Sequence, residues 1–327
     1  MTTLADIAKK LNVATSTVSR AISAPDKVSK EMRDKVMAAI EETGYKVNLQ
    51  ARQLRSGRSS MIATVISDLS DPLMARTASK IQEYALQKGY FPIVLSSGES
   101  SVKEAEIISK LKAYSISGLI VVPSGNTTEN LRLLDKSVPV IELDRSTYTF
   151  THDEFRMDDR AAMQMAAQYL VEQGHKDIIV LLGDSTVISS FRERLNALSF
   201  CPDKAHYRPK ELDDVTALGL RRGAFEYMDE LLSAGKPKST AILACNSAIA
   251  LGALMALNKH HVTVGTDMAL FSLDDADWIS AVPNPITSLQ HPLPQVGVEA
   301  IRRLVHRIEH TYEGDPEVRL LVPRLTA

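Results

Sequence analysis

Residues 2–23 read TTLADIAKKLNVATSTVSRAIS, two short helical patterns separated by a three-residue break. Thr3, with Asp6 three positions on, forms a capping box, and Leu4, Ile7, Ala8 and Leu11 then recur at helical spacing along one apolar stripe. Asn12, Val13 and Ala14 interrupt the period, and Thr15 and Ser16 start a second helix. At about 100° per residue, Ala14, Val18, Ala21 and Ile22 fall on one side of it, and Thr15, Ser16, Ser19, Arg20 and Ser23 on the other. A helix-turn-helix is the expected product. Small hydroxyls with one arginine suit a major groove, where the guanidinium can bridge the O6 and N7 of a guanine. Thr15, Ser16, Thr17, Ser19 and Arg20 are therefore the candidate DNA contacts; the alternative is a helical hairpin with a solvated face.

A third helix follows Ala24, Pro25 and Asp26, capped by Ser29, carrying Met32, Val36 and Ile40 at four-residue steps and stopped at Gly44. Residues 1–60 hold eleven Lys and Arg against six Asp and Glu, whereas the rest holds 27 against 34, so the net charge of −2 conceals a basic head on an acidic body. A polyanionic partner for the head follows, with affinity that falls steeply with salt.

The runs LADIAKKLNVATSTVSRAIS (4–23), VSKEMRDKVMAAIEETGY (28–45) and NLQARQLRSGRS (48–59) resemble the amino terminus of the lactose/galactose repressor (LacI/GalR) family in order, spacing and residue type. The resemblance implies that Thr15, Ser16 and Arg20 read bases and that Leu54 is the hinge leucine wedged into the minor groove at the operator centre. Val47 departs from the family's usual proline, and Ser23 from a common asparagine. Independently of family, the segment after Asn48 has helical residues but barely two turns before Gly57, and a helix that short is marginal alone. Arg52, Arg55 and Arg58 around Leu54 fit ordering on DNA, the wedge opening a base step while the arginines hold phosphate; a plain linker is the alternative.

Beyond residue 60, short β-rich runs (62–67, 91–96, 118–122, 139–143, 177–182, 240–244 and 268–272) alternate with helical stretches (73–88, 101–114, 159–173, 220–234 and 247–259). That is repeated βα, whose expected product is buried parallel sheet. Roughly 265 residues of it predict two lobes rather than one. The fold class is thus an all-α helix-turn-helix domain (1–46), a hinge (47–59) and an α/β core (60–327). The family resemblance implies that the core is similar to periplasmic sugar-binding proteins, with crossovers near 157–160, 284–288 and 318–322.

Ligands of open parallel sheets sit outside the carboxyl ends of the strands, so the polar residues there are the candidates. They are Asp71 with Leu73 and Met74, then Ser124, Asp158 beside Asp159, Arg192, Arg194, Asn246, Asp274 beside Asp275, and Gln290. Carboxylates and amides that accept and donate in pairs suit vicinal hydroxyls, and two arginines suit a phosphate or carboxylate. The resemblance implies an effector-gripping arginine at Arg194, polar ligand positions at Asn246 and Asp274, and a crossover aspartate at Asp158. Ala197, Ser247 and the sequence SLDD (272–275) depart from the family's glycine, aspartate and GYDD. With VIELDR (140–145), these features look more like the fructose and sucrose regulator branch than the purine branch.

Other features read as structural. His306 and His310 stand four apart on a predicted helix with no neighbouring ligand pattern, Trp278 reads as core or as a sugar-stacking face, and Met163 and Met165 as packing. No phosphate-loop, nucleophile-elbow or zincin motif occurs, and two cysteines make no disulfide framework. No cofactor is expected. The longest apolar stretch, AIALGALMAL, is too short to cross a bilayer, and no signal core precedes the head, so a cytoplasmic location is expected. The reading is a homodimeric regulator on a palindromic operator in double-stranded DNA, controlled by a sugar or sugar phosphate. The alternatives are a sugar sensor whose head binds a protein, and an α/β enzyme with an added helical domain.

Overall fold

The computed structural model describes residues 3–23, 27–44, 59–125, 128–235, 237–284 and 286–326. They fall into two compact units, Met1–Arg58 and Ser59–Ala327.

The first unit contains α1 (Leu4–Leu11), α2 (Thr15–Ser23) and α3 (Lys30–Thr43). Both halves of the capping box form: the Asp6 N–H donates to Thr3 Oγ1 at 3.3 Å, and the Thr3 N–H donates to Asp6 Oδ2 at 2.8 Å. Asn12 turns the chain between α1 and α2 in the left-handed conformation, at φ 50°. Ser29 caps α3 and Gly44 ends it at φ 61°. Ile7, Ala8, Val18, Ala21, Val36 and Ala39 close one small core, with Leu4, Leu11 and Ile22 packed at its margin. Ala14 departs from the expected apolar face and is exposed. It precedes the first turn of α2 and serves it through its carbonyl, which accepts from the Thr17 and Val18 N–H groups.

The second unit is two α/β lobes. Lobe 1 contains β1 (Met61–Ile66), α4 (Pro72–Gln87), β2 (Phe91–Ser96), α5 (Ser101–Ala113), β3 (Gly118–Val121), α6 (Thr128–Leu131), β4 (Val140–Leu143) and β5 (Asp153–Met157). Lobe 2 contains α7 (Asp159–Glu172), β6 (Asp177–Leu182), α8 (Ser189–Ala197), β7 (His206–Glu211), α9 (Ala217–Ser233), β8 (Ala241–Ala244), α10 (Ser247–Lys259), β9 (Ala269–Ser272) and β10 (Thr287–Gln290). The chain then returns through α11 (Leu293–Ile308) and β11 (Val318–Leu321) to lobe 1, and ends with β12 (Arg324–Thr326) in lobe 2. The sheets run β11-β5-β4-β3-β1-β2 and β12-β10-β9-β8-β6-β7, parallel except for the antiparallel β12.

The chain changes lobe at Asp158, at His291–Pro292 and at Val322–Pro323. The third passage meets the 318–322 window at Val322, directly after the short strand β11 (318–321), whereas the second lies a few residues beyond the 284–288 window because the short strand β10 (287–290) still belongs to lobe 2. Lobe 1 is held on one face by α4 and α11, where Leu293, Val296, Ala300, Ile301 and Leu304 pack with Ile62, Ile66 and Ile81. A larger core in lobe 2 gathers α7, α10 and the sheet around Leu243 and Phe271, with Met163 inside it and Met165 and Trp278 at its edge. Both orders place the carboxyl ends of the parallel strands where the two lobes meet.

Candidate functional site

In the first unit, Thr15, Ser16 and Arg20 are exposed on α2, with Thr17 and Ser19 half-buried, while Val18 and Ala21 face inward. Hydroxyls and a guanidinium are thus offered outward from a helix fixed by its apolar side. The hinge assignments Asn48, Arg52, Leu54 and Arg55 lie outside the described residues.

In the second unit, residues after the strand ends of the two lobes meet. The Ser146 N–H donates to Ser189 Oγ at 3.0 Å, the Tyr148 hydroxyl donates to Glu193 at 2.9 Å, and Arg76 pairs with Asp277 at 3.4 Å. Several of the proposed effector residues double as helix caps here. Asp71 caps α4 by accepting from the Leu73 N–H (2.8 Å), Asp158 caps α7 from Ala161 (2.9 Å), and Asn246 caps α10 from Ile249 (2.8 Å). Each retains acceptor capacity beyond its cap. Asp274 also serves α10, accepting from the Ser247 N–H at 3.0 Å. These helix N-termini bring partial positive charge to the cleft.

The remaining assignments divide. Leu73 and Met74 are buried in the lobe 1 core, so their side chains pack against the sheet. Ser124 is buried, its Oγ 2.6 Å from Ser97 Oγ and its N–H donating to Glu104 at 2.7 Å. Arg192 turns back on its own loop, donating to the carbonyls of Ser185 and Thr186, with its guanidinium 5.7 Å from the Tyr148 ring. Gln290 is exposed at the end of β10.

Arg194 is the buried centre of the lobe 2 side, 5% exposed. Its Nε donates to Asp159 Oδ1 at 2.7 Å and its Nη1 to the Cys245 carbonyl, while Nη2 makes no hydrogen bond among the described residues. Burial alone would lower this guanidinium's pKa, but the Asp159 and Asp274 carboxylates hold it above its ordinary value. Asp274 is pushed up to about 6, chiefly by burial. Asp71 is pushed up to about 6 by burial and then by the Asp274 charge across the cleft, so the two lobes bring these carboxylates together.

Sequence reasoning missed part of this constellation. Asp144 follows β4 in the left-handed conformation at φ 65° and is 8% exposed. Arg145 makes a bidentate pair with Glu99, at 2.6 and 2.8 Å, after the end of β2. His291 lies at the second lobe crossing with Nε2 4.0 Å from Asp144, and burial lowers its pKa. The rule that selects Asp71 and Asp274 applies equally to Asp144 and Arg145, which directly follow the β-rich run at 139–143. A pocket of about 620 Å³ lies elsewhere, at the amino ends of β4 and β5 among Val140, His152, Asp153, Arg307 and Tyr312, and includes none of the proposed site residues.

Residues 3–48 match the profile of bacterial regulatory proteins of the lacI family, and residues 167–327 match a periplasmic binding protein-like domain. The chain thus carries a lacI-family helix-turn-helix domain and a periplasmic binding protein-like domain in its core. The chain is 27% identical over 328 residues to the HTH-type transcriptional regulator PtxS of Pseudomonas aeruginosa, covering 98% of this chain and 93% of the relative. It is 26% identical over 318 residues to the HTH-type transcriptional repressor PurR of Haemophilus influenzae, covering 96% and 93%. The Lac repressor dimer, solved bound to operator and the anti-inducer ONPF, superposes with a TM-score of 0.85 at 25% identity, covering 100% of this chain and 98% of that one. Regulators named PtxS and PurR match almost equally, which gives the fructose and sucrose branch no preference.

Proposed function

We propose that this protein is a transcription repressor that binds a palindromic operator in double-stranded DNA as a homodimer and is controlled by a small carbohydrate-type effector, a sugar or sugar phosphate, held between its lobes. The observation that carries this reading is the outward Thr15, Ser16 and Arg20 face of α2, in a unit matching the lacI-family profile and followed by a two-lobed core. A likeness to a repressor solved as an operator-bound dimer supports the two-fold arrangement.

The cleft supports the effector role. Asp71, Asp274 and the open Nη2 of Arg194 offer acceptors and a donor that hydroxyls can satisfy in pairs. A ligand touching both lobes stabilises one relative arrangement, and that preference is the free energy available to move the protein between DNA-competent and incompetent states. Asn48, Arg52, Leu54 and Arg55 belong to this proposal as hinge contacts. The relatives are transcription regulators, which supports regulation without catalysis. No helix among the described residues is long and apolar enough to cross a membrane, and we place the protein in the cytoplasm with its DNA.

Selection from a random duplex pool tests the reading. Enrichment of a palindrome whose half-sites lie about one helical turn apart is expected. Recovery of unrelated sequences would reject it.

A further inference from the structure

Three features of the second unit stand outside the helix-capping and core-packing roles described above: the cleft's uncompensated charge, the pocket at the amino ends of β4 and β5, and the β4–β5 loop with its left-handed residues Asp144, Tyr148 and Phe150. The pocket's arginine is already saturated by Asp153 and the Gly314 and Asp315 carbonyls, and the loop is already committed to lobe contacts. The cleft carries the inference, which rests on the effector-binding reading above.

The two fully buried cations at the cleft, Arg145 and Arg194, already have anionic partners: Arg145 is in its bidentate pair with Glu99, and Arg194 is paired with Asp159 at 2.7 Å. Arg192 is half-buried, has no carboxylate partner among the described residues and is turned onto the carbonyls of its own loop. Burial keeps His291 on the neutral side. Three carboxylates remain without a full counter-charge: Asp71, Asp144 and Asp274. The Asp144 side chain is 9% exposed and accepts no hydrogen bond among the described residues; the Arg145 and His291 nitrogens stand 3.9 and 4.0 Å from it. Its backbone is held at φ 65°, a conformation that places a non-glycine residue under strain. Asp71 is faced by Asp274 and Asp144, with Arg145 as the nearby cation.

We propose that the effector is a hydroxylated ligand without an anionic group, whose hydroxyls or ammonium donate to Asp71, Asp144 and Asp274, and that the cleft rejects sugar phosphates and sugar acids. A phosphate beside Asp71, Asp144 and Asp274 adds negative charge to a low-dielectric site whose buried cations, Arg145 and Arg194, are already paired. A hydroxyl gives each carboxylate a donor, and a protonated amine adds a charge-assisted bond. Among otherwise matched ligands the order of affinity is amine, then neutral sugar, then phosphate or acid.

The test has a ligand arm and a ligand-free arm, both on the full chain. In the first, sets sharing one hexose skeleton (free sugar, 2-amino sugar, 6-phosphate, sugar acid) are compared by thermal shift at pH 7.5. The amine and free sugar are expected to raise the midpoint most, and a larger rise with a phosphate or acid overturns the proposal. In the second arm, Asp71→Asn keeps a competent helix cap but removes one uncompensated charge. Its midpoint is expected to exceed that of the parent by roughly 3 to 6 °C at pH 7.5 and to match it near pH 4. An unchanged gap across that range overturns the proposal even if no sugar shifts the midpoint. Operator binding is read separately. A repressor that answers to a phosphate refutes this inference alone, whereas failure to find any preferred duplex refutes the functional reading and leaves both charge measurements interpretable.

Discussion

Removing Arg194 is expected to destabilise the core as well as blunt the effector response. The side chain is 5% exposed, its Nε is 2.7 Å from Asp159 Oδ1, and Asp159 itself is 4% exposed. Arg194→Ala strands that carboxylate in the interior and leaves the Cys245 carbonyl without its side-chain donor. Breaking a buried pair from one side costs about 3–5 kcal/mol, most of it the penalty of an uncompensated charge. The remedy distinguishes this cause from simple loss of packing. Arg194→Met with Asp159→Asn removes both charges while keeping volume, and is expected to recover at least about 2 kcal/mol of the single-variant loss. Urea unfolding at constant m-value provides the assay. An Arg194→Ala cost below about 1 kcal/mol, or additive effects in the double variant, would refute the reasoning. A ligand titration on the double variant then isolates the effector role, because its core is restored while Nη2 is gone.

Three further outcomes are expected. Asp274, raised to about 6 from an unfolded value of 3.8, favours the folded state below pH 4 and loses that contribution as pH rises through 6. The unfolding midpoint of Asp274→Asn relative to the parent should therefore climb between pH 4 and 7, and a falling difference would reverse the sign argued here. Gly252 lies where an added Cβ would sit 2.1 Å from the Arg221 carbonyl oxygen, a backbone atom that only a shift of α9 against α10 can move. Gly252→Ala should cost roughly 1–3 kcal/mol in denaturant unfolding, and a neutral result would mean the two helices separate freely. Thr3→Ala removes the capping box of α1 and should cost about 0.5–2 kcal/mol, read from the thermal transition of the full chain by far-ultraviolet circular dichroism. No change would mean that α1 is held by its core contacts alone.

The head was legible because its signals are local. Thr3 with Asp6, Ser29 and Gly44 act within one turn of their own helix, and Val18 and Val36 announce the buried side by period alone. Most of the strands that were read, such as DIIVLL at β6, are continuous apolar runs buried on both faces, while the half-exposed edge strand β2 (FPIVLS) is legible from its apolar run alone. Those missed break that pattern for identifiable reasons. β5 (DEFRM) buries Asp153 and Glu154, tolerated because Arg303 and Arg307 from α11 close on Asp153 and the Ser146 hydroxyl donates to Glu154, partners some 150 and 8 residues away. β7 is a half-exposed edge strand carrying Pro209, and β11 is largely exposed. In the cleft, the strand-end rule found Asp71, Arg194 and Asp274 but not that Asp159 would occupy Arg194, because that pairing depends on the angle between α7 and α8. Charge balance at a site is a property of three-dimensional neighbours, and Asp144 and Glu99 entered it only with the fold.

Salt-titrated binding of the parent and of Arg20→Ala to the selected palindrome and to a scrambled duplex tests the central claim most directly. For the parent, affinity should fall steeply with salt on both duplexes, with the palindrome strongly preferred. Arg20→Ala should lose about 1–3 kcal/mol of that preference while keeping most of its affinity for scrambled DNA. Equal affinity of the parent for both duplexes, or an equal loss on both in the variant, would contradict base reading by α2.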